Sequence, residues 1–260
     1  MSERAQRIAQ AASAHALKLE GVSRTFGALA ALDNVELTLQ PAERRAVLGA
    51  NGAGKTTLFN AITGDFPPTA GRVYFFGEDV TSLAPHDRIR RGLRRTYQIS
   101  LLFLGLSVLD NLYLATRGVT RGRYSLLRPA ADDASIEAAR ELAHVAHLDT
   151  VAHQPVAELS YGQQRQLEIG MALAGAPRLI LLDEPAAGLS PPDRRELIAI
   201  LRVLPSHIGY IIIEHDLDVA LRVVESVTIM HNGRIFKEGT PEEIEGDPEV
   251  QAIYLGSKHA

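Results

Sequence analysis

The chain has 260 residues, 46% of them hydrophobic and 22% charged, with a formal net charge of −4. That suffices for one large domain, or a core with a smaller lobe, and gives no general pull towards nucleic acid. Cysteine is absent, which excludes disulfide staples and cysteine–zinc sites and suits a reducing compartment.

Residues 1–16 read as an Ala-rich polar tail, helical at most. Ala14-His15-Ala16 imitates a signal-cleavage site but has no apolar run before it. The longest near-apolar stretch, residues 99–109, contains Ser100, Gly105 and Ser107 and falls short of the ~20 residues that span a bilayer. The expected location is the cytoplasm, with any work at a membrane done by docking to another protein. Residues 17–22 and 35–39 alternate apolar and polar side chains, as half-buried strands do, and Phe26-Gly27 lies in the turn between them.

The stretch that organises the chain comes next: Gly49-Ala50-Asn51-Gly52-Ala53-Gly54-Lys55-Thr56-Thr57 fits G-x-x-x-x-G-K-[ST] without a mismatch. Apolar Ala46-Val47-Leu48 before it can end a buried strand, and Leu58 to Ile62 after it can begin a helix. In that context the loop amides turn inward towards phosphate oxygens, and the helix start adds unsatisfied donors and the positive end of its dipole. Lys55 is placed to reach the β- and γ-phosphates of a nucleoside triphosphate, and the Thr56 hydroxyl to ligate Mg²⁺. The plainer reading is a glycine-rich turn that happens to end in Lys-Thr.

Pro67-Pro68 and Gly71 punctuate a loop, residues 72–77 read as a strand, and residues 85–93 as a short helix carrying Arg88 and Arg91. Residues 107–153 change to helical spacing and read as a helical insertion, with residues 118–129 as a mobile loop between its helices. The αβ pattern resumes after Pro155. Helices are predicted over 160–174, 192–203, 217–224, 241–244 and 248–255. Strands are predicted over 179–182, 208–213, 227–230 and 234–237, the last two joined through Asn232-Gly233 as a hairpin.

Two further groups carry chemistry. The apolar strand 179–182 ends in Asp183-Glu184-Pro185, where the phosphate loop should also open. There Asp183 can hold Mg²⁺ and Glu184 can polarise an attacking water; an acidic, solvated strand end is the alternative. Leu159-Ser160-Tyr161-Gly162-Gln163-Gln164-Arg165 places Ser160 and Gly162 at a helix start, either a second set of anion-facing amides or an ordinary Ser N-cap.

In order and spacing these segments resemble the nucleotide-binding subunits of ABC transporters, whose signature is L-S-G-G-Q; Tyr161 departs from it. The resemblance implies an α/β fold: a P-loop core with an N-terminal antiparallel β subdomain and an inserted α-helical subdomain. The core would take 17–98 and 154–240, the helical subdomain 99–153, and a helical tail 241–260. It implies that Ser160, Tyr161, Gly162 and Gln163 face the phosphate loop of a second subunit, identical or paralogous, in a head-to-tail dimer. It also assigns Gln98 to the glutamine that approaches Mg²⁺ and the water, Phe26 to the aromatic that stacks on adenine, and His215 to the histidine at the γ-phosphate. ATP and Mg²⁺ are the implied ligands. Pro191 stands where the family has an aspartate, so no role is carried onto it.

The resemblance narrows on Arg95-Thr96-Tyr97-Gln98, on L-S-Y-G-Q-Q at residues 159–164, on Glu184-Pro185-Ala186-Ala187-Gly188-Leu189 and on Tyr254-Leu255-Gly256, which look like the branched-chain amino acid importer ATPases. Such importers add membrane permease subunits and an external solute-binding protein, and would hold this chain at the inner face of the membrane. An amide or urea importer, a lipopolysaccharide-transport ATPase and a non-transport ABC switch are the neighbouring alternatives. The arginines at 88, 90, 91, 94 and 95 read as a solvated helix face rather than a nucleic-acid site, and His144 and His147 as surface residues. Leu101 to Leu104 reads equally as lobe core or as the family's dock for its membrane partner.

Overall fold

In the computed structural model, which describes residues 15–97, 102–119, 133–215 and 217–256, the strands form two sheets, of four and six strands. β1 (Leu17–Phe26) and β2 (Leu29–Leu39) make the antiparallel hairpin that their alternation predicts. β4 (Ala70–Phe75) adds to the other edge of β1 and β5 (Glu78–Asp79) to β4, giving the order β2-β1-β4-β5. The larger sheet contains β3 (Arg44–Leu48), β6 (Leu93–Arg95), β7 (Leu179–Asp183), β8 (Gly209–Ile213), β9 (Ser226–His231) and β10 (Arg234–Gly239), in the order β10-β9-β3-β8-β7-β6. β10 is antiparallel to β9; every other pairing in that sheet is parallel.

Every residue of β7 and β8 is buried. Leu179, Leu181, Ile211 and Ile213 face a core shared with β1, β2 and α1 (Lys55–Thr63), which contributes Leu58, Phe59 and Ile62. Ile180, Leu182, Tyr210 and Ile212 face a second core with Ile169 and Leu197, from α5 (Tyr161–Ala172) and α6 (Pro191–Val203). Covering on both faces is why these strands read as continuous apolar runs instead of alternating ones. A third core joins α3 (Val108–Val119) and α4 (Asp133–Val145) through Val108, Leu112, Ala139 and Ala143, and takes Leu167 from α5. α5 thus packs into both the helical cluster and the sheet.

Three expectations are corrected. The helix read over 85–93 is α2 (Pro85–Arg90); Gly92 sits at φ +97, which stops it, and the next three residues pair with β7 as β6. The arginine cluster is a solvated face only in part: Arg90 is exposed, whereas Arg88 and the side chain of Arg95 are buried. Arg88 is buried and donates to the carbonyls of Ala61, Ile62, Leu83 and Thr81, two of them in the last turn of α1. Burial pulls its pKa down to about 10. The backbone carbonyls compensate its desolvation, and no residue count along the sequence signals that. Third, α7 (Leu217–Leu221) is shorter than the helix read to residue 224.

α8 (Pro241–Glu245) and α9 (Pro248–Gly256) end the described chain. His144 and His147 are surface residues, paired with Asp149 at 3.1 Å and Glu196 at 3.0 Å. Leu102 packs against the helical core, whereas Phe103 and Leu104 are exposed. Leu101, Gln98 and residues 120–132, most of the expected mobile loop, lie outside the described residues.

Candidate active site: a phosphate cradle and two carboxylates

The phosphate loop leaves the buried end of β3 and enters α1 through Gly54, at φ +103. A Cβ on Gly54 would lie 2.6 Å from the Ala31 carbonyl oxygen, and one on Gly49 would lie 2.3 Å from that of Met230, so both positions need glycine. Gly54 is also the N-cap of α1 and makes no side-chain cap bond, which leaves the first-turn amides and the positive dipole end open to an anion. Lys55 is buried and folds back over the loop, donating to the carbonyls of Gly49 at 2.7 Å and Ala50 at 3.0 Å. Burial lowers its pKa, and the carboxylates of Glu184 and Asp183 oppose that shift.

Parallel pairing with β8 sets the end of β7 beside the end of β8. This brings Glu184 onto His215: Glu184 Oε1 and His215 Nε2 share a hydrogen bond of 2.7 Å. Glu184 sits at φ +49, a left-handed conformation that costs a non-glycine residue energy and turns the chain sharply after the strand. Glu214, buried between them, ties the two turns together. Its Oε1 accepts from the Ala186 amide at 2.6 Å and its Oε2 from the His215 amide at 3.1 Å.

Asp183 is almost fully buried. Its Oδ2 accepts from Arg95 Nη2 at 2.7 Å, while its Oδ1 is buried without a hydrogen-bond partner among the described residues. The exposed Thr56 hydroxyl and this bare carboxylate oxygen are hard donors suited to Mg²⁺, which takes few protein ligands and completes its shell with water and phosphate.

A cavity of about 470 Å³ gathers most of the predicted residues: Phe26, Asn51, Gly52, Ala53, Gly54, Lys55, Thr56, Thr57, Glu184 and His215 all line it. Phe26 stands half-exposed at its rim, edge-on to Phe66 at 5.5 Å, with the Arg24 guanidinium 4.7 Å from both rings. Gly49 and Ala50 lie behind the lining, as acceptors for Lys55.

Residues 160–163 are not brought to this cavity. They open α5, where Ser160 Oγ accepts from the Gln163 amide at 3.2 Å and the Gln163 side chain accepts from the Ser160 amide at 2.9 Å, a closed capping box. Tyr161 donates to the Ala187 carbonyl at 3.3 Å, and Gly162 is buried against Asp193.

Residues to which the sequence assigns no role in the cavity also build the site. Asn232 and Gly233, at the β9–β10 turn, line the cavity together with Leu29, Ala30 and Ala31. The Gly233 amide donates to Ala53 at 3.0 Å, and its carbonyl accepts from the Asp33 amide at 2.9 Å, so the turn clamps the phosphate loop against β2. The Asn-Gly pair signals the hairpin but not its neighbour. Arg95 likewise reaches Asp183, and Glu214 the Ala186 amide, through strand pairing.

Residues 32–187, over half the chain, match the family described as ABC transporter. The chain belongs to that family. Residues 238–260 match a second family, described as branched-chain amino acid ATP-binding cassette transporter. Among curated relatives, the high-affinity branched-chain amino acid transport ATP-binding protein BraF of Pseudomonas aeruginosa is 34% identical over 248 residues, 92% of this chain and 97% of that protein. LivG of Escherichia coli K12, which carries the same description, is 35% identical over 249 residues, again 92% of this chain and 97% of LivG.

Among solved structures, the ADP conformation of an ATP-binding cassette of an ABC transporter superposes with a TM-score of 0.83 at 32% identity, covering 93% of this chain and 99% of that one. A nucleotide-free cassette gives 0.80 at 30% identity, covering 92% and 98%. A dimeric cassette in a post-hydrolysis state bound to ADP and Pi gives 0.75 at 26% identity, covering 86% and 98%. The expected fold class therefore holds, and this cassette is an ATPase whose hydrolysis is coupled to transport.

Proposed function

We propose that this chain is the ATP-hydrolysing subunit of an importer for branched-chain amino acids or a related small amino acid or amide. The observation that carries the reading is the meeting, in one cavity, of the phosphate loop, Phe26 and the hydrogen-bonded Glu184–His215 pair. Phe26 stacks on the base. The loop amides and Lys55 hold the phosphates, Lys55 exchanging its two carbonyl partners for phosphate oxygens. Thr56 and Asp183, with Gln98, would hold Mg²⁺, which would supply neutralisation of the phosphate charge.

Glu184 orients a water for in-line attack on the γ-phosphorus; the bond to the bridging oxygen breaks, and ADP and phosphate form. His215 bonds the γ-phosphate and holds Glu184 in place. Ser160, Tyr161, Gly162 and Gln163 serve the cavity of a second cassette, identical or paralogous, so that ATP joins two subunits and hydrolysis releases them. Among the described residues no helix is long and apolar enough to cross a membrane, which suits a chain that docks on permease subunits at the inner face. The solute identity rests on the relatives' names and on the match over residues 238–260.

The test is uptake by a deletion strain, with co-purification. The account expects loss of labelled leucine uptake, restored by the intact chain but not by Glu184→Gln, and recovery of the chain with integral membrane subunits. Unchanged leucine uptake together with lost urea uptake would move the assignment to an amide importer. ATPase activity on RNA with no membrane partner would remove the chain from transport.

A further inference from the structure

β6 delivers Arg95 to the end of β7, where its side chain is 5% exposed and that of Asp183 is 1% exposed. One guanidinium serves two carboxylates: Nη2 donates to Asp183 Oδ2 at 2.7 Å, and Nη1 to Asp65 Oδ2 at 3.0 Å and to Asn60 Oδ1. It also lies 5.6 Å from the Phe59 ring centroid and 4.9 Å from that of Tyr97. Asn60 and Phe59 belong to α1 and Asp65 follows it, so the helix that starts at the phosphate loop also sets the position of this arginine. The Asp183 carboxylate is thereby divided. One oxygen is neutralised by a fixed cation, and the other is bare and buried. A divalent cation approaching the bare oxygen meets a full positive charge on the far side of the same carboxylate, in a poorly hydrated place where charges are weakly screened.

We infer that Arg95 gates the metal site: in the nucleotide-free chain it holds Asp183 and suppresses cation binding, so that Mg²⁺ enters only with the phosphates of ATP. This rests on the reading of Asp183 as a metal-facing group. The phosphates add the negative charge that Arg95 subtracts, and together with the bare oxygen and Thr56 they outweigh it. Arg95 is a positioning residue. It fixes which carboxylate oxygen is free, and it ties metal occupancy to nucleotide occupancy before hydrolysis begins.

The test titrates the full-length, nucleotide-free chain with Mn²⁺, reading free ion by electron paramagnetic resonance. Without nucleotide, Asp183→Asn should leave Mn²⁺ affinity within about twofold of the unmodified chain, since Asp183 is already engaged. Arg95→Gln should bind Mn²⁺ about tenfold more tightly, and the gain should vanish when Asp183→Asn is added. Arg95→Lys keeps the charge and should stay close to the unmodified chain. An Arg95→Gln affinity within about twofold of the unmodified chain would overturn the gate.

If Arg95→Gln does not fold, the comparison of the unmodified chain with Asp183→Asn decides alone: a drop of about tenfold in nucleotide-free Mn²⁺ affinity would show Asp183 open to metal and refute the inference. The underlying reading is scored separately, by the gain in fluorescent ATP-analogue affinity that Mn²⁺ produces. If Asp183→Asn keeps that gain, Asp183 is not the metal group and the gate falls with it. If Asp183→Asn loses the gain while Arg95→Gln leaves nucleotide-free Mn²⁺ affinity unchanged, only the gate falls.

Discussion

α1 and α5 both carry a glycine and small polar residues at or beside their first turn, Gly54 and Thr56 in one and Ser160 and Gly162 in the other, and these turns are completed in opposite ways. At α1 the cap is Gly54, which has no side chain to donate or accept, so the turn's amides face the cavity uncapped. At α5 the cap is Ser160, and Ser160 and Gln163 close the turn on themselves. A helix start is therefore not an anion site by virtue of its sequence class alone; the cap decides whether its amides are spent inside the chain. α1 is ready for phosphate within one chain. α5 offers what its capping box leaves over, the exposed Ser160 and Tyr161 side chains and the remaining first-turn amides. None of them is among the described residues that line the cavity.

Changing the turn that carries Glu184 should have the largest effect and should separate binding from turnover. Glu184→Gln is expected to slow phosphate release by about 1,000-fold while ATP affinity stays within about threefold, and to trap an ATP-bound pair of cassettes in the centrifuge. Undiminished hydrolysis would mean that the water is oriented elsewhere. Lys55→Ala attacks the α1 cradle itself. Loss of charged hydrogen bonds to the phosphates should weaken ATP binding about 100-fold, or ~3 kcal/mol, by fluorescence titration. A change of only a few-fold would make α1 no better an anion site than α5.

Phe26→Ala should cost about tenfold in affinity through lost base stacking, and Phe26→Tyr should cost little. Ser160→Ala is the smallest and the most diagnostic. It should remove about 1 kcal/mol of stability, a Tm lower by about 2–4 °C, and leave the ATP affinity of a single chain unchanged. A shift in single-chain affinity would place α5 in its own chain's cavity and erase the contrast.

The contrast also marks what was legible in advance. The phosphate loop reads clearly because its glycines answer a local demand: at Gly54 both the φ of +103 and the approach of Ala31 exclude a side chain. β7 and β8 read clearly because burial on both faces makes them continuously apolar. β6 does not, because Leu93-Arg94-Arg95 has no alternation to show and is a strand only by pairing with β7. The same pairing converts Arg95 from an apparent surface charge into the partner of Asp183. Arg88 misled for a related reason: two of the carbonyls that satisfy it, those of Ala61 and Ile62 at the end of α1, reach it through the fold and not along the sequence. The Asn232-Gly233 turn was read as a hairpin, yet its contact with Ala53 is as much a part of the site as the loop it clamps.

That one chain holds only half of a hydrolytic site is tested most directly by measuring ATPase rate per chain against chain concentration, with ATP affinity followed in the same samples. If the cassette pairs with itself this needs the chain alone; if it pairs with a paralogue, the two are titrated together. The account predicts a rate per chain that rises with concentration and then levels off, while the affinity of the dilute monomer for ATP holds constant. A rate per chain that stays constant down to concentrations where only monomers exist would contradict it.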